Sequence, residues 1–241
     1  MALMPDSLQR LHLFQLVSPA LPVGAFSYSE GLEVLVQEGR IGNGAAVESW
    51  LRAEMERGAV ALEAASLPGL MGALAVWRDP MATGEDRRSA SQSVIRRDGW
   101  LLAQRDAPEM RAQHRQMGGS LLNLMAELGF PLPALPSERG ATALAWPAAW
   151  AWALLSLEVP EEAGLEAYLQ SWVATQLSAA VRLVPLGPTE AQRIQLRVAA
   201  TIVERAEALA DSDPEDLWNG GVGASMAQLG HSALYSRLFR S

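Results

Sequence analysis

Apolar residues recur at the spacing of an α-helix along most of the chain, and this periodicity limits the possible folds more than any other feature of the sequence. Val47, Leu51, Met55, Ala59 and Leu62, for example, follow one another at intervals of three or four residues and share one helical face. Alternating apolar and polar residues bounded by turns, the pattern typical of strands, do not occur in the sequence. The sequence therefore predicts an all-α fold of about eight to ten helices.

Prolines, glycines and capping residues divide this pattern into separate predicted helices. Pro68-Gly69 is expected to end or kink one long helix, because proline lacks the backbone donor. Thr189 and Gln192 have the spacing of a capping box, and Asp213-Pro214-Glu215-Asp216 resembles a helix start. The predicted helices cover residues 8–17, 29–38, 45–77, 86–104, 108–128, 142–157, 161–184 and 189–210, with one more starting at residues 213–216.

A proline-rich interval at residues 129–140 is the one candidate for a domain boundary. It contains Pro131, Pro133 and Pro136, and a helix does not tolerate prolines at this density. The interval fits either a linker between two domains or a loop across one helical bundle. We favour the bundle, which makes residues 1–241 a single domain.

The composition indicates a globular protein and argues against some classes of partner. Of the 241 residues, 49 % are hydrophobic and 19 % are charged, which is typical of a folded chain. The formal net charge of -8 argues against non-specific binding to nucleic acid, which depends on cationic side chains. The chain has no cysteine, so disulfides and thiolate metal sites are excluded. No secretory signal or membrane-spanning run is recognised, and a soluble, cytoplasmic protein is predicted.

Residue patterns of known catalytic sites are missing from the sequence. The three histidines, His12, His114 and His231, lack the spacing of a metal site. Ser27 does not lie in a Gly-x-Ser-x-Gly elbow, and no phosphate-binding loop with its lysine is present. We therefore predict no catalytic residue, no bound metal and no cofactor. A helical chain of this kind is expected to act by binding other proteins.

Several segments, in order along the chain, resemble one protein family. Residues 21–33 (LPVGAFSYSEGLE) are similar to the N-terminal signature of the urease accessory protein UreF family, and residues 231–241 (HSALYSRLFRS) are similar to its C-terminal tail. Residues 179–187 with Gln192 resemble its central motif, and residues 115–118 resemble a further family segment. The resemblance extends over nearly the whole chain.

The resemblance implies an all-α protein that forms a dimer and assembles with other urease accessory proteins. It implies a complex with UreD, called UreH in some species, that recruits the GTPase UreG. That assembly acts on apo-urease, where nickel is inserted. On this basis the chain is a non-enzymatic scaffold or co-chaperone that binds no metal of its own.

Two other roles remain open from the sequence. The chain could be a GTPase-activating protein or fidelity regulator for UreG, with Arg237 and Arg240 as candidate arginines. An unrelated helical enzyme is the third possibility, and it would turn over substrate without any partner.

The resemblance also identifies candidate partner-binding residues, mainly in the tail at residues 231–241. The tail resembles a segment that becomes ordered on docking to UreD, and Arg237 matches an arginine important for assembly. Tyr235, Leu238 and Phe239 surround Arg237, and such large side chains can bury apolar area when a segment folds on binding. The alternative is an ordinary frayed terminus, which this composition does not favour. His231 is expected to cap or orient the tail. The predicted partner-binding residues are Phe26, Tyr28, His231, Tyr235, Ser236, Arg237, Leu238, Phe239 and Arg240.

Overall fold

The computed structural model describes residues 6–134 and 143–240, which form ten α-helices and two short 3-10 helices without any strand. The all-α prediction is confirmed. The predicted helix start at Thr142, residues 135–140 of the proline-rich interval and Ser241 lie outside the described residues. The helices are α1 (Asp6–Leu16), α2 (Leu32–Gln37), α3 (Gly44–Arg57), α4 (Ala59–Arg78), α5 (Gly84–Ala103), α6 (Pro108–Glu127), α7 (Trp146–Ser156), α8 (Glu161–Leu183), α9 (Pro188–Ala210) and α10 (Val222–Gly230), and the 3-10 helices are Ala25–Ser27 and His231–Ala233.

Helix α4 lies at the centre of the core and packs against α3, α5, α7, α8 and α9. Its side chains Leu67, Leu70, Leu74 and Trp77 are almost completely buried. Burying side chains of this size stabilises the fold by about 1.5–3 kcal/mol each, as an upper estimate. The short helix α7 is also buried on most sides, as its alanine- and tryptophan-rich sequence predicts.

By length and composition, α4 is the one helix among the described residues that could cross a membrane. However, 67 % of its most apolar stretch is buried inside the protein. Such burial is typical of the central helix of a helical core, whose apolar residues face neighbouring helices on several sides.

The predicted helix over residues 45–77 is in fact two helices, and the break lies at Gly58 and not at Pro68-Gly69. Gly58 adopts an extended conformation that ends α3 and starts α4. Pro68 lies inside α4. Leu67 and Leu70, on either side of Pro68-Gly69, are buried in the core, and this packing outweighs the local helix-breaking tendency of proline and glycine.

Two predictions about helix starts are wrong. Residues 213–216 form a single turn, in which the Asp213 side chain accepts the Glu215 N–H, and the next helix begins only at Val222. At α9 the Thr189–Gln192 capping box does not form, because Gly187 precedes the helix and Pro188 occupies its first turn. Proline is favoured at that position, since its missing N–H would lack a helical partner anyway.

Helices α6 and α7 approach each other closely at Gly118. A Cβ atom at Gly118 would lie 2.8 Å from the carbonyl oxygen of Ala145 and closer still to that of Leu144. The same segment is also bonded to α5, because the Asp98 carboxylate accepts the N–H of Ala145 at 2.8 Å. The chain entering α7 is therefore held from both α5 and α6.

We expect Gly118→Ala to lower the free energy of unfolding by about 1–3 kcal/mol, because the added methyl group overlaps backbone atoms that cannot rotate away. The adjacent Gly119→Ala is the matched control, since nothing lies within 4 Å of its added Cβ. That control should gain about 0.5–1 kcal/mol from helix propensity. Urea unfolding followed by circular dichroism measures both, and equal effects of the two substitutions would contradict the packing argument.

Candidate partner-docking surface

The C-terminal tail is tied to the body of the protein by one buried carboxylate, that of Glu33 in the first turn of α2. Glu33 accepts the backbone N–H groups of Leu238 at 2.7 Å and Phe239 at 3.1 Å. It also accepts a hydrogen bond from Nε2 of His231 at 3.2 Å. A buried carboxylate is stable only when donors surround it, and here the tail supplies three of them.

A bridge through Arg182 and one direct hydrogen bond join the end of the tail to the loop before α2. Phe239 is 5 % exposed, and the guanidinium of Arg182 lies over its ring at 4.4 Å. Arg182 also donates to the carbonyl oxygen of Phe26 at 3.0 Å. The backbone N–H of Arg240 donates to the carbonyl oxygen of Ser27 at 2.9 Å. The structure thus brings the 21–33 segment and the tail together, although about 200 residues separate them in the sequence.

The nine predicted partner-binding residues divide into two groups. Tyr28, His231 and Phe239 are buried within the chain itself, and His231 and Phe239 hold the tail in place through Glu33 and Arg182. The other six are exposed, and Tyr235 is exposed over its whole side chain. The exposed residues are Phe26, Tyr235, Ser236, Arg237, Leu238 and Arg240.

Helix α10 adds an apolar face that the sequence analysis did not identify. Its inner residues Ala227 and Gln228 pack on Gly31, where a Cβ atom would lie 3.1 Å from the backbone nitrogen of Gln228. Gly31 also has φ +89°, a conformation that glycine adopts readily. We call the outward-facing apolar residues of α10, the tail and the adjacent loop the docking surface. They are 50–67 % exposed, apart from fully exposed Tyr235, and comprise Phe26, Val222, Met226, Leu229, Tyr235 and Leu238.

The outer face of α10 has a sequence signal, because residues 222, 226 and 229 follow the i, i+4, i+7 spacing of one helical face. The glycines at positions 220, 221 and 223 weaken this signal, because glycine disfavours helical structure. Glu33 has no comparable signal. Nothing in local sequence indicates that it pairs with residues 231–239.

A second carboxylate lies beneath the start of α10. Glu54 lines a cavity of about 390 Å³ together with Arg57, Gly220 and Gly221. The N–H of Gly220 donates to the carbonyl oxygen of Arg57 at 2.7 Å and fixes the approach to α10. The pKa of Glu54 is raised to about 7, mainly because the carboxyl group is buried and in smaller part because of the nearby negative charge of Glu30.

We interpret this arrangement as a candidate surface for binding a protein. No group of three or more histidine, aspartate or glutamate side chains among residues 6–134 and 143–240 is placed to hold a metal ion. The docking surface presents aliphatic and aromatic side chains beside the exposed residues Arg237 and Arg240. An apolar centre with arginine near it is a common composition for protein interfaces.

Comparison with known proteins gives one consistent result. The family model of UreF matches residues 41–199. The chain is 33 % identical over 236 residues to the urease accessory protein UreF of Prochlorococcus marinus strain MIT 9215, which covers 97 % of this chain and 100 % of the relative. It is 37 % identical over 237 residues to the protein of that name from Alkalilimnicola ehrlichii, covering 98 % and 97 %. It is 35 % identical over 233 residues to the one from Thermosynechococcus vestitus, covering 96 % and 97 %.

Removing the charge of Glu33 should release the tail. In Glu33→Gln the side chain keeps one acceptor oxygen but loses its negative charge, while three donors still compete for it. We expect protection of the Leu238 and Phe239 amides from hydrogen exchange to fall about tenfold or more. Glu38→Gln, at the exposed end of the same helix, is the control. Unchanged protection in Glu33→Gln would contradict the anchoring role.

Ionisation of Glu54 should destabilise the fold at neutral pH. A raised pKa means that the folded state retains the proton, so the stabilising effect is complete below pH 4.5 and is lost as pH rises through about 7. Glu54→Gln should remove this dependence and be more stable than the parent protein at pH 8 by about 2 kcal/mol. Asp98, whose pKa burial raises to about 6, titrates in both proteins. The difference between the two stability–pH curves therefore reports the titration of Glu54 alone. A difference that does not change with pH would contradict the raised pKa of Glu54.

Proposed function

The chain belongs to the urease accessory protein UreF family, and we propose that it is a non-enzymatic scaffold in nickel insertion into apo-urease. In this proposal it bridges UreD, or UreH, and the GTPase UreG. It functions in the cytoplasm as a homodimer, without a cofactor and without binding nucleic acid or membrane. The observation that carries the proposal is the docking surface, which is largely apolar and is built on an anchored tail.

The exposed area of the docking surface favours a protein partner. Its members lie on α10, which packs on α2, on the tail, which is bonded to Glu33 of α2, and in the loop at Phe26, to which the end of the tail is bonded. Neighbouring exposed apolar side chains of this number commonly mark an interaction site in a folded protein. We assign UreD or UreH as the occupant, because the tail resembles the segment through which the family binds that protein.

The anchored tail favours rapid and specific assembly. The bonds from Glu33 order the tail backbone before a partner arrives, so less conformational entropy is lost on binding. Tyr235 and Leu238 then project from an ordered segment, with Arg237 between them. This arrangement differs from a segment that becomes ordered only on docking, and hydrogen exchange with and without UreD distinguishes the two.

Activation of the GTPase is the second candidate role, and the exposure of Arg237 and Arg240 favours it. Neither guanidinium forms an ion pair with another of the described residues, so both are available to a partner. An arginine supplied to a GTPase active site accelerates hydrolysis by about 10³ to 10⁵. Single-turnover hydrolysis by UreG, with and without this chain, separates the roles, because an unchanged rate excludes activation.

Co-purification with the cognate UreD tests the scaffold role. Removing residues 231–241 should abolish the complex, but it also removes the buried side chains of His231 and Phe239. Single substitutions of exposed residues therefore give a cleaner test. We expect Met226→Ser and Leu238→Ser each to weaken binding about tenfold or more, because each removes apolar area from the proposed interface.

Leu196→Ser is the matched control for these variants. Leu196 is an exposed leucine on α9, outside the docking surface. It should bind UreD as well as the parent protein, and circular dichroism should show all the variants folded. Full binding by Met226→Ser and Leu238→Ser would contradict the placement of the interface. Absence of a complex with the parent chain would contradict the scaffold role itself.

A further inference from the structure

A second site lies next to the docking surface, in a cavity of about 220 Å³ between α6, α7, α8 and the loop before α2. Trp146, Trp150 and Trp172 line its walls, and Phe26 lies at its edge. Trp146 and Trp150 pack together with ring centroids 5.4 Å apart and ring planes tilted by 55°. The faces of indole rings carry partial negative charge and attract weakly hydrated cations.

The polar part of the cavity carries more negative than positive charge. Glu30 and Glu63 both line it, and the only guanidinium bonded to either carboxylate among the described residues is that of Arg105. His114, which also lines the cavity, adds no positive charge near neutral pH. Burial, assisted by the charge of Arg105, lowers its pKa to about 3. Two carboxylates therefore face one cation.

Arg105 compensates Glu63 much better than Glu30. It donates to Glu63 at 2.9 and 2.5 Å, and the hydroxyl of Tyr168 donates to the same carboxylate at 2.8 Å. The distance from Arg105 to the Glu30 carboxylate is 3.8 Å. The unbalanced charge of the cluster is therefore concentrated on Glu30.

The carboxylate of Glu30 is held at the cavity by the backbone and by neutral donors. Glu30 has φ +51°, an uncommon conformation for a residue with a side chain. Its oxygens accept Nε1–H of Trp172 at 3.2 Å and the amide of Gln113 at 3.3 Å. These neutral donors orient the carboxylate without cancelling its charge, and lone pairs remain for another donor.

We infer that this cavity binds the head group of an organic cation, an alkylammonium or alkylguanidinium, between Glu30 and the tryptophan walls. The carboxylate supplies the countercharge and accepts N–H groups, while the indole faces stabilise the alkyl and cationic parts. A metal ion fits less well, because aromatic walls supply no oxygen or nitrogen ligands. The described part of the chain also contains no group of three or more histidine, aspartate or glutamate side chains placed to hold one.

Two sources could supply this group: a free organic amine, or a lysine or arginine side chain of a protein bound at the docking surface. Phe26 lines the cavity and also belongs to the docking surface, so the cavity adjoins the surface on which a partner would lie. The free-amine test below needs no partner. Its result is therefore independent of the proposed scaffold role.

The first experiment titrates the full chain with butylammonium or butylguanidinium chloride at constant ionic strength, with 1-pentanol as the uncharged probe of similar size. Three of the eight tryptophans line the cavity, so their fluorescence and isothermal calorimetry both report binding. We expect saturable binding of the cations, about tenfold or more tighter than that of the alcohol. Equal affinity for pentanol, or no saturable binding of either cation, would overturn the inference.

Substitution then tests the position of the site. Glu30→Gln should weaken cation binding about tenfold and leave pentanol binding unchanged, because the amide preserves shape but not charge. Glu38→Gln and Trp218→Phe remove an exposed carboxylate and an exposed indole elsewhere, and both should bind like the parent chain. If Glu30→Gln does not fold, the comparison of charged and uncharged probes on the parent chain still tests whether the protein binds organic cations in preference to a neutral molecule of similar size.

Two further measurements define the ligand. Displacement of bound butylammonium by equimolar NiCl₂ or MgCl₂ would overturn the choice of an organic cation. Adding UreD to the chain already loaded with butylammonium identifies the source of the group. Release of the amine as the complex forms points to a basic side chain of the partner, and retention of the amine in the complex points to a free amine.

Discussion

Burial of the Glu33 charge governs how the C-terminal region is arranged. A carboxylate that is 2 % exposed needs several hydrogen-bond donors, and the body of the protein does not provide the three that Glu33 uses. The tail provides them only if it runs back across α2, and that path places Phe239 beneath Arg182. The orientation of Tyr235 and Leu238 follows from this path. The docking surface thus depends on an interaction that is itself hidden from solvent.

The sequence predicts the helices well where apolar spacing is regular and core packing agrees with it, as in α5, α6 and α8. It fails where tertiary contacts override local preference. Pro68 remains inside α4 because its neighbours are buried, whereas Gly58, within an uninterrupted apolar pattern, divides α3 from α4. Near the C-terminus, the acidic 213–216 segment has a helix-start pattern, but Gly220 and Gly221, which disfavour a helix, follow within a few residues, and the segment forms only one turn.

The sequence also indicates which segments form the candidate site but not how they interact. Resemblance to a family selects residues 21–33 and the tail, and the structure brings these segments together. Which residues are buried anchors and which are exposed cannot be read from the motif, since Phe239 and Leu238 are adjacent apolar residues with opposite environments. The cluster of Glu30, Glu63 and Arg105 is equally hidden, because its members are distant in sequence and carry no motif of their own.

Glu30 and Glu33 lie three residues apart in the 21–33 segment, yet they serve different surfaces. The left-handed backbone at Glu30 and Gly31 separates the two carboxylates, so that one lines the tryptophan cavity and the other binds the tail. Phe26 borders both regions, and Arg182 connects its carbonyl oxygen to the ring of Phe239. A partner on the docking surface would therefore cover the edge of the cavity. An organic cation must then enter before that partner binds or be supplied by the partner itself.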